Sequence, residues 1–193
     1  LLMNENNNKK ISLKTKSGTL AAELDDKNTV TINMKQPNFE WNKIPLLKKM
    51  DNQNLKIKIK DIGKKEITGG FSLNVVNPHV IFFVENLNQF NLKKIGPEIE
   101  NHKYFPEKCN VTLASIKNKK HVNVNVWERG AGLTKACGTA ACAVAVAGSI
   151  LKLNDRCVDI EFSEGLINID WKKDNNIYMS GKVSNIKKIK VYI

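Results

Sequence analysis

The chain has 193 residues, 41% hydrophobic and 26% charged, with a formal net charge of +12. That balance excludes wholesale disorder, and no apolar run reaches the roughly 18 residues a membrane span needs. The positive charge is scattered lysine, with Arg129 and Arg156 the only arginines. Without guanidinium forks or interleaved aromatics, no nucleic-acid surface is expected.

The opening LLMNENNNKK begins on Leu1. Leu1, Leu2 and Met3 read as the last turn of a helix whose body lies upstream, so a longer parent chain is expected. Strands follow. Residues 10–16, 29–35 and 55–61 alternate apolar side chains with Lys, Thr or Asn, the pattern of half-buried strands. The stretches 71–76, 79–85, 110–116, 121–128, 157–162, 166–171 and 188–193 add more, with Gly18, Gly69-Gly70, Asn118 and Gly165 as turn marks. Several connections are too short for anything but antiparallel pairing. A weak helix is expected over about 91–101, started or bent by Gly96-Pro97. The clear helix is 137–152, CGTAACAVAVAGSILK, whose small apolar residues occupy nearly every face and predict burial all round. The expected fold class is α/β (α+β): a mostly antiparallel sheet curled around one central helix.

The four cysteines, Cys109, Cys137, Cys142 and Cys157, form no paired CxxC knuckles, so no structural metal is expected. With no secretory signal either, reduced thiols in the cytoplasm are the expectation. Cys137 differs from the others because it stands where the buried helix begins. There the helix dipole and unpaired backbone N–H groups favour a thiolate, and Gly138 and Thr139 offer an anion-binding nest. A thiolate beside a carboxylate-binding nest suits removal of a proton α to a carboxylate. The same residues are also compatible with a packed helix start. Cys142, about 140° further round the helix, is expected in the core.

The stretch WERGAGLTKACGTAACAVAVAG resembles the diaminopimelate epimerase family, through Glu128-Arg129-Gly130 and Ala136-Cys137-Gly138-Thr139. Two further landmarks fall in the same order: Asn77-Pro78-His79, and the run IGPEIENHKYFPEKCNVTL that ends on Asn110 and Val111. The likeness runs from the first residues to Met179-Ser180-Gly181. It implies a cofactor-free isomerase with two pseudo-symmetric domains, each a sheet around a helix, and the substrate between them. The reaction implied interconverts LL- and meso-2,6-diaminoheptanedioate in lysine biosynthesis. By the same resemblance Cys137 is one of two catalytic cysteines, and Gly138 and Thr139 bind the reacting carboxylate. Asn77, Asn110, Glu128 and Arg129 hold the substrate's charged groups, and His79 and Glu128 tune the cysteines. A homodimer is implied for the full-length protein.

The family's other cysteine motif, of Cys-Gly-Asn-Gly type, is absent, since no cysteine precedes Cys109. Residues 1–36 and 183–193 are therefore expected to be the remnant of an incomplete first domain, 37–182 the second domain, and the chain alone inactive. Proline racemases and phenazine-pathway isomerases share the implied architecture and remain alternatives, as does a basic module without catalysis.

Overall fold

The computed structural model describes residues 9–15, 18–25, 28–60 and 65–183. Three strands open the chain: β1 (Lys10–Thr15), β2 (Gly18–Leu24) and β3 (Thr29–Asn33). A small hairpin, β4 (Ile57–Lys60) and β5 (Glu66–Gly69), is followed by β6 (Phe71–Val75) and β7 (Asn77–Phe83). Helix α1 (Leu92–Glu100) leads to β8 (Asn110–Asn118), β9 (His121–Glu128) and the short β10 (Gly132–Thr134). Helix α2 (Gly138–Ile150) then precedes β11 (Cys157–Phe162), β12 (Gly165–Trp171) and β13 (Ile177–Lys182). The strand expected over 188–193 lies outside the described residues.

The main sheet runs β1-β2-β3-β13-β12-β11-β9-β8-β7-β6, with β10 beside β9. All its pairings are antiparallel except β7 with β8 and β11 with β9. Those exceptions have a cause: parallel neighbours need a crossover long enough to return the chain, and each is made by one of the two helices. Helix α1 joins β7 to β8, and α2 lies between β9 and β11.

The sheet wraps α2, which packs against β6, β7, β8, β11, β12 and β13. Every residue from Ala140 to Gly148 is buried, as an all-apolar helix must be. Around it lies an inner core that includes Leu73, Ile81, Ala114, Val124, Val126, Ile160 and Ile169. A second core lies on the other side of the sheet, where α1 and the β4–β5 hairpin cover Val80, Phe82, Val111 and Leu113. Strands β7 and β8 are thus buried on both faces. Hence the unbroken apolar run VIFF in β7, in contrast to β4, where Ile57 and Ile59 are buried and Lys58 and Lys60 exposed.

Helix α1 runs through Pro97 instead of starting there, with Asn91 at its N-cap. Burial of Leu92, Ile95 and Ile99 on one face outweighs the backbone hydrogen bond that proline removes. The opening strands join the main sheet directly, because β3 pairs with β13 from Asn33 opposite Tyr178 to Thr29 opposite Lys182.

Candidate active site

Strand alternation gathers the site. On β7, Ile81 faces the inner core, and Asn77 and His79, four and two residues earlier, share its side. On β8, Ala114 faces inward and so does Asn110, while on β9 Val122, Val124 and Val126 set Glu128 on the same face. Register then brings these positions to one end of the sheet: His79 lies opposite Asn110, and Val111 opposite Trp127, one residue short of Glu128. Helix α2 packs on this face and presents its first residues there.

Cys137 is the N-cap of α2, with extended backbone (φ −149°, ψ 109°), and is 8% exposed. Its Sγ lies 3.4 Å from Thr139 Oγ1. Burial pushes this thiol above the ordinary cysteine value. The Thr139 hydroxyl and the Ala140 N–H pull it back, and the nearby Glu128 carboxyl pushes it further up. The sequence-based expectation of a depressed value is therefore corrected. A helix start stabilises a thiolate, but desolvation in a closed core acts the other way and is the larger effect. Cys142, one turn further on, is fully buried and its thiol lies higher still for the same reason. Cys109 is buried with its Sγ 4.0 Å from the Ile99 carbonyl, and Cys157 is exposed on β11.

Gly138 lies close to Met179 on β13: a Cβ there would stand 2.7 Å from Met179 Sδ, and the methionine side chain would have to move. Met179 is thus packed against the start of α2.

Fully buried His79 has its Nε2 2.7 Å from Asn77 Oδ1, and its Nδ1 has no hydrogen-bond partner. Burial first, and then the Arg129 charge, hold its pKa down at about 3. The ring is neutral near pH 7 and donates from Nε2, because the amide oxygen can only accept. That leaves the Asn77 amide nitrogen free to donate elsewhere. Asn110 ties the strand ends together: its Nδ2 donates to the Pro78 carbonyl at 2.9 Å, and its Oδ1 accepts the Arg129 N–H at 2.9 Å. The exposed Arg129 side chain donates from Nη1 to the Glu107 carbonyl at 3.0 Å. Of the two residues expected to tune cysteines, Glu128 acts on Cys137, and His79 meets Asn77.

Glu100 has no role in the sequence-based reading, although it lies in the quoted Gly-Pro-x-Ile-Glu run. Its buried carboxylate accepts the Trp127 indole N–H at 2.7 Å and the Gly130 N–H at 3.1 Å. A carboxylate predicted inside an otherwise apolar helix face was the available signal. Among the described residues no group of three or more His, Cys, Asp or Glu is placed to hold a metal, and no helix is long and apolar enough to cross a membrane.

The sequence pattern of the family described as "Diaminopimelate epimerase" matches residues 71–186. A diaminopimelate epimerase of Pelagibacter ubique is 50% identical over 191 residues, covering 99% of this chain and 70% of that protein. One from Rhodopseudomonas palustris is 42% identical over 153 residues, covering 78% of this chain and 52% of that protein. Among solved structures, a phenazine biosynthesis protein of Bacillus anthracis superposes with a TM-score of 0.64 at 15% identity, over 100% of this chain and 73% of that one. A hydroxyproline epimerase of Agrobacterium vitis superposes with a TM-score of 0.60 at 12% identity, over 90% of this chain and 56% of that one. These two structures share the fold: mixed α+β, mostly sheet with few helices.

Proposed function

Because the chain belongs to the diaminopimelate epimerase family, we propose that it builds one half of a site interconverting LL- and meso-2,6-diaminoheptanedioate. The observation that carries this reading is a buried thiol at a helix start, held between the Glu128 carboxyl and the Thr139 hydroxyl. In it, Cys137 is the acid/base on one face of the reacting carbon. The open amides at Gly138 and Thr139 take the α-carboxylate, where the helix dipole favours negative charge as a carbanion develops. Asn77 donates its free amide, Arg129 grips a carboxylate with its planar fork, and Glu128 attracts an ammonium. Asn110 keeps the Arg129 backbone in place through its amide oxygen.

A thiol with a raised pKa is suited to this task as an acid: it holds its proton for delivery and surrenders it only to a basic partner. Inverting a centre needs a second acid on the opposite face, since one base returns the proton where it took it. Cys109 and Cys142 lie in the core, and Cys157 lies out on β11. The second acid is therefore assigned to polypeptide outside these 193 residues. On the same reading, 1–36 and 183–193 belong to the domain that holds it, 37–182 to the domain of Cys137, and no cofactor takes part. The assembled protein is a cytoplasmic homodimer.

The test joins this chain to the part of the Pelagibacter ubique relative that lies outside the match. With LL-diaminopimelate in D₂O, that fusion should form the meso isomer at about 1 per second or faster, with deuterium at the α-carbon. Its Cys137→Ser variant should not. The 193-residue chain alone should give no meso product. Turnover by the Cys137→Ser fusion would refute the role of Cys137, and meso product from the chain alone would place the second acid inside it.

A further inference from the structure

We propose that Glu100 is a positioning residue that fixes the Glu128–Arg129 turn, with Gly96 as the seat for the aromatic ring that carries the link. The proposal rests on the reading of Glu128 and Arg129 as substrate-holding residues, and adds a device that sets where they stand.

The geometry is a latch between α1 and the end of β9. Trp127 points away from the inner core, toward α1, because Glu128 beside it points inward. Its ring lies directly over Gly96. A Cβ on that residue would come within 2.7 Å of two ring atoms and 3.0 Å of a third. Glu100, one helical turn beyond Gly96, then receives the indole N–H on Oε2, and the Gly130 N–H on Oε1. Lys108 Nζ, 4.0 Å from Oε1, balances the carboxylate from the solvent side. Two donors, one on each side of the Glu128–Arg129 pair, are thus held by two oxygens of one rigid carboxylate. On the other side, Asn110 holds the Arg129 N–H. The turn has three fixed backbone or ring donors, so Glu128 reaches Cys137 at a set distance and Arg129 leaves the sheet at a set point.

The spacing Gly-x-x-x-Glu in α1 therefore follows from the site: an absent side chain where the ring lies, and a carboxylate four residues later where its N–H ends. Pairing carboxylate and indole in a half-buried layer also has a cost, since each polar group would be unsatisfied without the other. A latch of that kind is retained for what it positions.

The test uses the full 193-residue chain and needs no turnover. In Glu100→Gln, one of the two N–H groups faces an amide NH₂ instead of an oxygen, while size and burial are kept. Two readouts are followed: hydrogen exchange of the Gly130 amide, and the pH profile of Cys137 alkylation resolved by peptide mass. Gly130 exchange should accelerate about fivefold to tenfold, the size expected for one lost hydrogen bond. As Glu128 loosens, its upward push on the thiol weakens, so the alkylation midpoint should move to lower pH. Simple loosening of the fold would also relieve the thiol's desolvation and lower the midpoint, but it would speed exchange of amides far from the turn, such as those of β12, which loss of the latch alone leaves unchanged. If Glu100→Gln does not fold, Trp127→Phe removes the indole donor, keeps the ring, and is read the same way. Unchanged Gly130 exchange together with an unmoved midpoint overturns the proposal. Glu128→Gln separates the two levels: it should itself lower the midpoint, and if it does not, the Glu128–Cys137 reading fails while Gly130 exchange still decides the latch.

Discussion

Replacing Gly96 by Ala sets two effects of opposite sign against each other. In an exposed helix interior the change gains about 1 kcal/mol, since glycine is the poorer helix former. Here the new methyl would stand 2.7 Å from Trp127 Cγ and Cδ2, far inside contact distance. The ring cannot slide away freely, because its Cα is fixed in β9. Its N–H is also anchored to Glu100 at 2.7 Å. Overpacking of this kind costs about 1–3 kcal/mol, and loss of a hydrogen bond to a charged group about 1.5–3 kcal/mol. The net expectation is destabilisation by about 2–4 kcal/mol, equivalent to a Tm lower by roughly 5–15 °C in a chain of this length. Urea and thermal unfolding of the parent and Gly96→Ala chains measure it directly. A variant as stable as the parent, or more so, would show that the ring yields without strain, and would refute the claim that Gly96 is its seat.

The fully buried His79, whose pKa is lowered to about 3, is neutral in the folded chain and binds a proton in the unfolded chain below its ordinary 6.5. Its contribution is thus complete above pH 6.5 and is lost as pH falls toward 3, by about 5 kcal/mol at roughly 1.4 kcal/mol per pH unit. Unfolding free energies of parent and His79→Gln measured from pH 7 to 4 should converge toward acid, and parallel curves would count against it. Val76, half-exposed at the tip between β6 and β7, has φ +70°, a conformation that a β-branched residue adopts only under strain. Val76→Gly should raise the urea midpoint by the equivalent of about 1 kcal/mol, and a lower midpoint would mean that the valine is not strained. With iodoacetamide at neutral pH, Cys157 should be alkylated before Cys137 because it is the exposed thiol; peptide mass mapping with the reverse order would contradict the burial of Cys137.

Local patterns made much of this molecule legible. The alternation in 55–61 announced β4, and the unbroken small apolar run after Cys137 announced a helix enclosed on every side. The order of the short motifs announced the residues at the sheet end. Elements that exist through pairing were not visible. Strand β2, GTLAAEL, has little strand propensity of its own and is held between β1 and β3. Strand β13 is held between β12 and β3, with Gly181 opposite Val30. The outer layer was equally hidden, because nothing in KKIGPEIE states that its apolar face covers the back of β7 and β8.

The misread titration of Cys137 has a different origin. The helix start and the Gly-Thr pair are local, and local effects favour a thiolate. Desolvation is set by everything that packs around the sulfur, including β9, which supplies Glu128, and the core beneath α2. Its magnitude grows with closure, so in this structure it exceeds the pull of one hydroxyl and one amide. The same closure gives the thiol its chemical use on the proposed reading. A thiol that is neutral at rest gives up its proton more readily once the substrate's cationic ammonium enters and offsets the Glu128 charge. Reactivity is then tied to occupancy, and an empty site leaves Cys137 protected while the exposed Cys157 takes the reagent.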